Sequence, residues 1–453
     1  VSSKKVRPQK FPPRSPQKKV KKKSGLHWIW IVLLFASVSV LSAIAGGMLA
    51  VSLSTTPLQQ VQLSPEEQAV FDGEKISRST LSLPELTRPV NIIVLGARVT
   101  DVDLGATPKI GQAFQLVNSF EGLTDTIMLL RFDPVNKKVV ALSIPRDTKA
   151  IVDGRGETKI NEANDVGGAA GAAKAISRLL QGIAIDRYVR INLQGVEKLI
   201  DALGGVTVYV PKDMKYQDDS QRLYIDLKKG RQRLNGSQAL QFIRFRNDDN
   251  GDIGRVQRQQ MLMRALVEQT LNPVTLTRIP QIVGVIQNNI DTNLSVEEFV
   301  ALGAFGVQVN RSQFETVLLP GEFNGDGRRG VSYWLPDKTK IRQLVALYFD
   351  QGFSQPIIIN PADVRVSIQD STKNRTAVRS LAQRLQGIGY QVYIDEPWSE
   401  PLATTRILAQ GGYGDSAEII KSTIGVGEVR VDSSGSFRSD ITIQIGQDFL
   451  KAR

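Results

Sequence analysis

The sequence contains no cysteine and only one histidine, His27. Without thiols, disulfides, iron–sulfur clusters, thiolate zinc sites and cysteine nucleophiles are all excluded. With its single imidazole beside an N-terminal apolar run, the rest of the chain has no Ser-His-Asp triad, no HExxH zinc site and no histidine general base. Chemistry there must come from carboxylates, Lys and Arg, hydroxyls, or a hard metal ion held by oxygen. Long apolar runs are scarce as well. Trp28 to Leu53 is uncharged throughout its 26 residues, and as a helix it would reach about 39 Å, against about 30 Å for a bilayer core.

Acidic residues are absent from positions 1–25, which carry ten Lys and Arg. That asymmetry predicts a tail held in the cytoplasm, a single membrane-spanning helix, and a C-terminal body on the outer face of the plasma membrane. A cleaved signal peptide ending at Ala43-Ile44-Ala45 is the rival reading, but the apolar run continues past it. The net charge of +12 suggests nucleic acid until the charge is located. Without the tail, the chain holds 47 basic residues against 45 acidic. The expected partner of the tail is therefore a membrane surface, with no nucleic acid.

What is present is an ordinary globular balance, 41% hydrophobic and 23% charged over 453 residues. No repeat of fixed period appears. The expected organisation is a tail (1–25), a spanning helix (26–53), a stalk rich in Ser, Thr, Pro and Gln (54–89), a main domain (90–350), a linker (351–363) and a small α/β domain (364–449). In the main domain, strand-like runs at Asn91–Leu95, Thr126–Phe132, Val139–Ile144, Arg187–Leu193 and Val206–Val210 are interleaved with or followed by helix-like segments. Those are Glu162–Leu180, Gln194–Leu203, Gly236–Phe242, Arg255–Leu271, Ser295–Phe305 and Lys338–Phe349. This alternation predicts an α/β fold with a mixed sheet flanked by helices.

Two segments concentrate groups suited to a multiply charged anion. In the first, a hairpin turning at Asp133-Pro134 brings Asp125 close to Arg146 at one rim; a structural salt bridge capped by Asp147 is the alternative. The second runs from Ala239 through Arg244-Phe245-Arg246 and Asp248, Asp249 and Asp252 to Arg255 and Gln259. If extended, it places Arg244 and Arg246 on one face with Phe245 inward. Arg255 and Gln259 share a helical face near a helix N-terminus. Guanidinium forks suit phosphate, although the same residues read as a solvated, self-neutralised face. Gly167-Gly168-Ala169-Ala170-Gly171 has the look of a phosphate loop but lacks its Gly-Lys-Ser/Thr ending, and tight helix packing explains it more simply.

Together these blocks resemble the LytR-CpsA-Psr family of cell-envelope proteins. The resemblance is carried by DTIMLLRFDPVNKKVVALSIPRDT from Asp125, KINEAN from Lys159, IDRYVRINLQGVEKLIDALGGVTVYV from Ile185, and LNGSQALQFIRFR followed by GDIGRVQRQQ. Residues 364–449 resemble the smaller LytR-type C-terminal domain, apart from the opening QDSTKNRTA. The resemblance implies an enzyme, a Mg²⁺-dependent phosphotransferase moving a glycopolymer from a polyprenyl-pyrophosphate carrier to peptidoglycan, with an apolar groove for the prenyl chain. It also implies roles: Asp125, Arg146 and Arg246 catalytic; Lys159, Arg244, Arg246, Arg255 and Gln259 on the pyrophosphate; Asp125 on the metal. The family's usual Leu-Gly-x-Asp reads Leu95-Gly96-Ala97-Arg98 here, so a second metal ligand would come from Asp101 or Asp103, or from water and substrate. The alternatives are a membrane-bound transcriptional regulator, a polyprenyl-pyrophosphate binder, or a pyrophosphatase.

Overall fold

Strand β1 (Val90–Ala97) is apolar at nearly every position, the pattern of a strand covered on both faces. It pairs antiparallel with β2 (Thr124–Asp133), which pairs antiparallel with β3 (Lys138–Ile144). On its other side β1 pairs parallel with β6 (Arg187–Ile191), and β7 (Ile290–Thr292) closes that edge. β8 (Phe314–Leu318) lies parallel to β3 at the opposite edge. The result is a six-stranded mixed sheet in the order β7-β6-β1-β2-β3-β8, as the alternation of strands and helices predicts. A short hairpin, β4 (Lys149–Val152) with β5 (Gly156–Lys159), follows β3.

The computed structural model describes residues 58, 60–78, 84–97, 120–219, 223–245, 251–270, 273–310, 313–324, 332–349, 360–436 and 438–452. All belong to the second of two compact units, Pro57–Arg453. Among the described residues no helix is long and apolar enough to cross a membrane. The run Trp28–Leu53, the basic tail, Arg98, Asp101, Asp103 and Arg246 lie outside them.

Helices cover both faces of the sheet. On one face Ile127, Leu129, Val140, Leu142 and Ile144 pack with α1 (Ala163–Leu179) and α7 (Lys338–Tyr348). The periodic apolar positions of α1 are mostly alanine, which lets it lie close to the sheet. α1 also departs from expectation: Gly167 and Gly168 break it, Gly168 with φ 56° and ψ −151°. The glycines therefore form a kink rather than a continuous packed helix. Local chemistry sets the other helix starts. Asn192 caps α2 (Leu193–Ala202), ending β6 two residues before the predicted Leu193. Asn235 with Gln238 caps α3 (Gly236–Arg244), and Ser295 with Glu298 caps α6 (Val296–Gln308), both as capping boxes. Between α3 and α6 lie α4 (Gly251–Thr270) and α5 (Ile279–Asn289).

The C-terminal residues build a second mixed sheet in the order β10-β9-β13-β11-β12. Its strands are β9 (Arg365–Asp370), β10 (Gln391–Ile394), β11 (Arg406–Ala409), β12 (Glu428–Val431) and β13 (Ile441–Ile445). Its own apolar core joins Val366, Ile368, Ile441 and Ile443 to Leu381 of α8 (Arg375–Ile388) and Ile420 of α9 (Gly414–Ile424).

Candidate active site

The β2–β3 hairpin fixes one rim. Ile127 pairs with Ile144 in the antiparallel register, so two residues further out Asp125 and Arg146 face each other. The Arg146 Nη1 donates to Asp125 Oδ1 at 2.6 Å. Beside them Arg146 Nε lies 3.5 Å from Asp147 Oδ2. The β4–β5 hairpin, whose register sets Lys149 opposite Lys159, then brings Lys159 Nζ to donate to Asp147 Oδ1 at 2.7 Å. The same ammonium lies 5.7 Å from the ring centroid of Tyr333. Backbone bonds lock the rim: Asn161 N donates to the Arg146 carbonyl and Ile160 N to that of Thr148. The result is an alternating row of two cations and two carboxylates, each side chain between 16% and 25% exposed. An anion arriving there meets donors already oriented.

From this rim a cleft runs beneath α4. Counted out to the open solvent at its mouth, its space is about 490 Å³. The floor is the sheet: Thr126, Ile127 and Met128 from β2, Ala141 and Ser143 from β3, and Phe314 and Thr316 from β8. The roof follows helical spacing along α4, with Gln259 and Gln260, then Met263 and Arg264, then Val267. Asp125 lines the rim end, so the structure brings Asp125, with Arg146 bonded to it, and Gln259 to one cleft, whose lining beyond the rim interleaves apolar and polar side chains.

The second anion-suited segment is differently shaped from its expectation. α3 continues through Arg244, so Arg244 is helical and half-buried, and Phe245 after it is extended. Phe245 does point inward, at 2% exposure. α4 begins at Gly251, which puts Arg255 in its second turn rather than at the start. The side chain of Arg255, like all of Arg246 and Asp103, is outside the described residues. Arg258, which composition alone did not single out, is buried; it donates to the Phe245 carbonyl and stacks on the Phe245 ring at 5.6 Å, fixing the chain beside Arg244. Its signal was its place three residues after Arg255 on the same helix. Arg264 was equally silent, because nothing in its neighbourhood tells which wall it serves.

Among the described residues no group of three or more His, Cys, Asp or Glu could cage a metal. Among the described residues Asp125 is the carboxylate that lines the cleft end, with Asp147 beside it on the rim. That donor set is wrong for zinc or calcium but fits Mg²⁺, which takes one or two carboxylates and completes its shell with water and phosphate oxygens. Elsewhere the sheet carries charge for structural reasons. Arg190 Nε donates to the fully buried Asp291 at 2.6 Å, and Arg187 pairs with Glu298 at 2.6 Å.

Residues 56–348 match the LytR_cpsA_psr family, and residues 363–449 match LytR_C, the LytR cell envelope-related transcriptional attenuator. The Staphylococcus aureus regulatory protein MsrR is 37% identical over 188 residues, 41% of this chain and 56% of that protein. TagV of Bacillus subtilis, a polyisoprenyl-teichoic acid–peptidoglycan teichoic acid transferase, is 32% identical over 231 residues, 49% of this chain and 58% of TagV. Its crystal structure aligns with a TM-score of 0.47 at 29% identity, covering 59% of this chain and 99% of the solved one. TagU of Bacillus cereus, which bears the same transferase name, is 30% identical over 278 residues, 59% of this chain and 78% of TagU. The chain thus spans little more than half the length of MsrR and TagV.

Proposed function

This chain belongs to the LytR-CpsA-Psr family, and from that premise we propose that it is a membrane-anchored phosphotransferase that moves a glycopolymer from a polyprenyl-pyrophosphate carrier to peptidoglycan. The observation that carries the reading is the cleft: an Asp125–Arg146 pair, with Lys159 nearby on the rim, at the charged end of a cleft that also presents Met128, Met263, Val267 and Phe314. A pyrophosphate on a prenyl chain has the same division, charge at one end and hydrocarbon at the other. The transferase names of TagV and TagU support the same class of substrate and acceptor.

In this reading Arg146 and Lys159, with Arg244, Arg246, Arg255 and Gln259, hold the pyrophosphate and neutralise charge on its oxygens, which is most of what phosphoryl transfer requires. A peptidoglycan hydroxyl attacks the phosphorus that bears the glycan. The bond from that phosphorus to the bridging oxygen breaks, and prenyl phosphate leaves. The hydroxyl proton passes to a carboxylate oxygen, a role this reading gives to Asp125 or a neighbouring acid. Mg²⁺, when bound, would be held by Asp125, with Asp103 the candidate second ligand, and would supply further charge neutralisation at the phosphate.

The run Trp28–Leu53 would hold the body at the outer face of the membrane, where a prenyl-linked substrate lies, and so raise its effective concentration. The name of MsrR favours a regulatory reading, and deletion of residues 2–24 separates the two. A regulator reading DNA through its tail loses function; an exported transferase retains it while the helix still inserts. The deciding experiment supplies the purified protein with a defined prenyl-pyrophosphate glycan, Mg²⁺ and peptidoglycan. The expected product is glycan joined to peptidoglycan through a phosphodiester, with release of prenyl phosphate. Glycan phosphate released to water, or substrate bound and returned unchanged, would overturn the reading in favour of a pyrophosphatase or a binder.

A further inference from the structure

The cleft has a far end, and the residues that close it come from the other sheet. β8 is the outer strand of the six-stranded sheet and β12 the outer strand of the C-terminal one. They meet where β12 turns at Asp432 and Ser433. The Asp432 carboxylate is 2% exposed and reaches both walls of the cleft: it pairs with Arg264 of α4 in the roof, and accepts from Thr316 Oγ1 of β8 in the floor at 3.3 Å. Ser433 N donates to the same Thr316 oxygen at 3.0 Å, and Ser433, itself buried, lines the cleft. Asp432 is also braced from its own side, because Ser434 N donates to it at 2.9 Å and its amide bonds the Ala409 carbonyl. Val431 packs against both apolar cores.

The register measures the channel. Asp125 meets Arg146, two residues past the end of β3, and Thr316 lies opposite Ala141 within that strand. Five residue steps along the strands and two strand spacings across them separate the charged rim from the clasp, roughly 20 Å on the diagonal.

We infer that the C-terminal sheet supplies the end wall of this cleft, and that Ser433, held by the Asp432 clasp, sets the length of prenyl chain the cleft can seat. The inference rests on the proposed function in one respect, that the cleft holds a prenyl chain anchored by its pyrophosphate. It gives the C-terminal domain a part in substrate selection, which its position in the sequence does not suggest. The clasp is polar and small, so it is also the place where the wall would yield to a longer chain.

The test is a chain-length series on the purified full chain, using geranyl, farnesyl, geranylgeranyl and undecaprenyl diphosphate, with binding read by calorimetry. For the native protein, affinity is expected to climb by roughly tenfold per added prenyl unit until the chain meets the wall, and then to level off. Ser433→Trp shortens the channel, so chains that reach the wall bind about tenfold more weakly while geranyl diphosphate binds as before; the retained short-chain affinity shows that the variant is folded. Asp432→Asn releases Arg264, and the climb continues past the native plateau. If native binding levels off but neither variant moves the plateau, the wall assignment is wrong and the proposed function stands. If no prenyl diphosphate binds, or if Arg146→Ala binds all of them like the native chain, the proposed function fails and takes the inference with it.

Discussion

Arg146 is oriented before any substrate arrives: a 2.6 Å bond to Asp125 on one side and the Asp147 carboxylate on the other hold its planar head at the cleft end. Preorganised donors of this kind cost no rearrangement when charge develops on a phosphate. Arg146→Ala is therefore expected to lower transfer by about 10²–10³-fold. Arg146→Lys should recover less than about tenfold of that loss, because an ammonium cannot span two oxygens as the guanidinium fork does. Single-turnover rates with the defined glycan substrate measure both, and an Arg146→Lys variant as active as native would remove bidentate binding from the mechanism. Asp125 and Arg146 were readable from sequence because an antiparallel hairpin with a two-residue Asp-Pro turn signal fixes who faces whom. The Lys159–Asp147 pair was not. It depends on a second hairpin, β4–β5, whose strands are too short to show a pattern. Arg264 and Ser433 were hidden for a different reason, since each takes its role from a residue far away in the chain.

At the scale of elements, the turn between β2 and β3 holds the two halves of the rim together. Asp133 Oδ1 accepts from the amides of Val135 and Asn136, and Oδ2 accepts from the Asn136 side chain at 2.7 Å. Burial pushes the Asp133 carboxyl up, but the hydrogen bonds from Asn136 and Val135, with Arg131 nearby, outweigh it and hold the group below its ordinary value. A carboxyl that titrates lower when folded stabilises the fold fully above the unfolded value, about pH 4, and loses that contribution as pH falls through the folded one. Asp133→Ala should cost about 1–3 kcal/mol at neutral pH, and the gap to the native protein should close progressively below about pH 4. Denaturant unfolding at a series of pH values reads this directly, and a gap that stayed constant into acid would mean that the turn is held by shape alone. Other element boundaries were legible for the same chemical reason, a capping side chain such as Asn235 or Ser295 before an apolar period. The break in α1 was not, because Gly167-Gly168 within an alanine run is compatible with either a helix or a loop until the packing around it is known.

Across the whole molecule, the two sheets are joined by a second clasp besides Asp432. Asp440, at the entry to β13, accepts from Lys340 Nζ of α7 at 3.2 Å and from the backbone and guanidinium of Arg365. Burial lowers the Lys340 ammonium, but its bond to Tyr413 and the charge of Asp440 outweigh that and raise it above the ordinary lysine value. The bond to Asp440 is likewise the main cause that raises Arg365. Both shifts have the sign of groups that stabilise the folded state below their unfolded values and lose that contribution as pH climbs through the folded ones, so the clasp is fully formed at neutral pH and weakens only in strong alkali. None of this was visible in the sequence, which separates Lys340 from Asp440 by the linker 351–363 and most of the small C-terminal domain. Each sheet has its own apolar core, and among the described residues Val431 is the apolar side chain that packs against both, so polar contacts carry much of the cooperativity between them. Asp440→Ala leaves two half-buried cations without their carboxylate and should cost about 1–3 kcal/mol. It should also divide a single unfolding transition into two, with the C-terminal sheet melting first, while transfer to peptidoglycan at low temperature is retained. Calorimetry of the native and variant chains tests this. One transition of unchanged midpoint in the variant would mean that the apolar contact at Val431, rather than the Asp440 clasp, couples the two sheets.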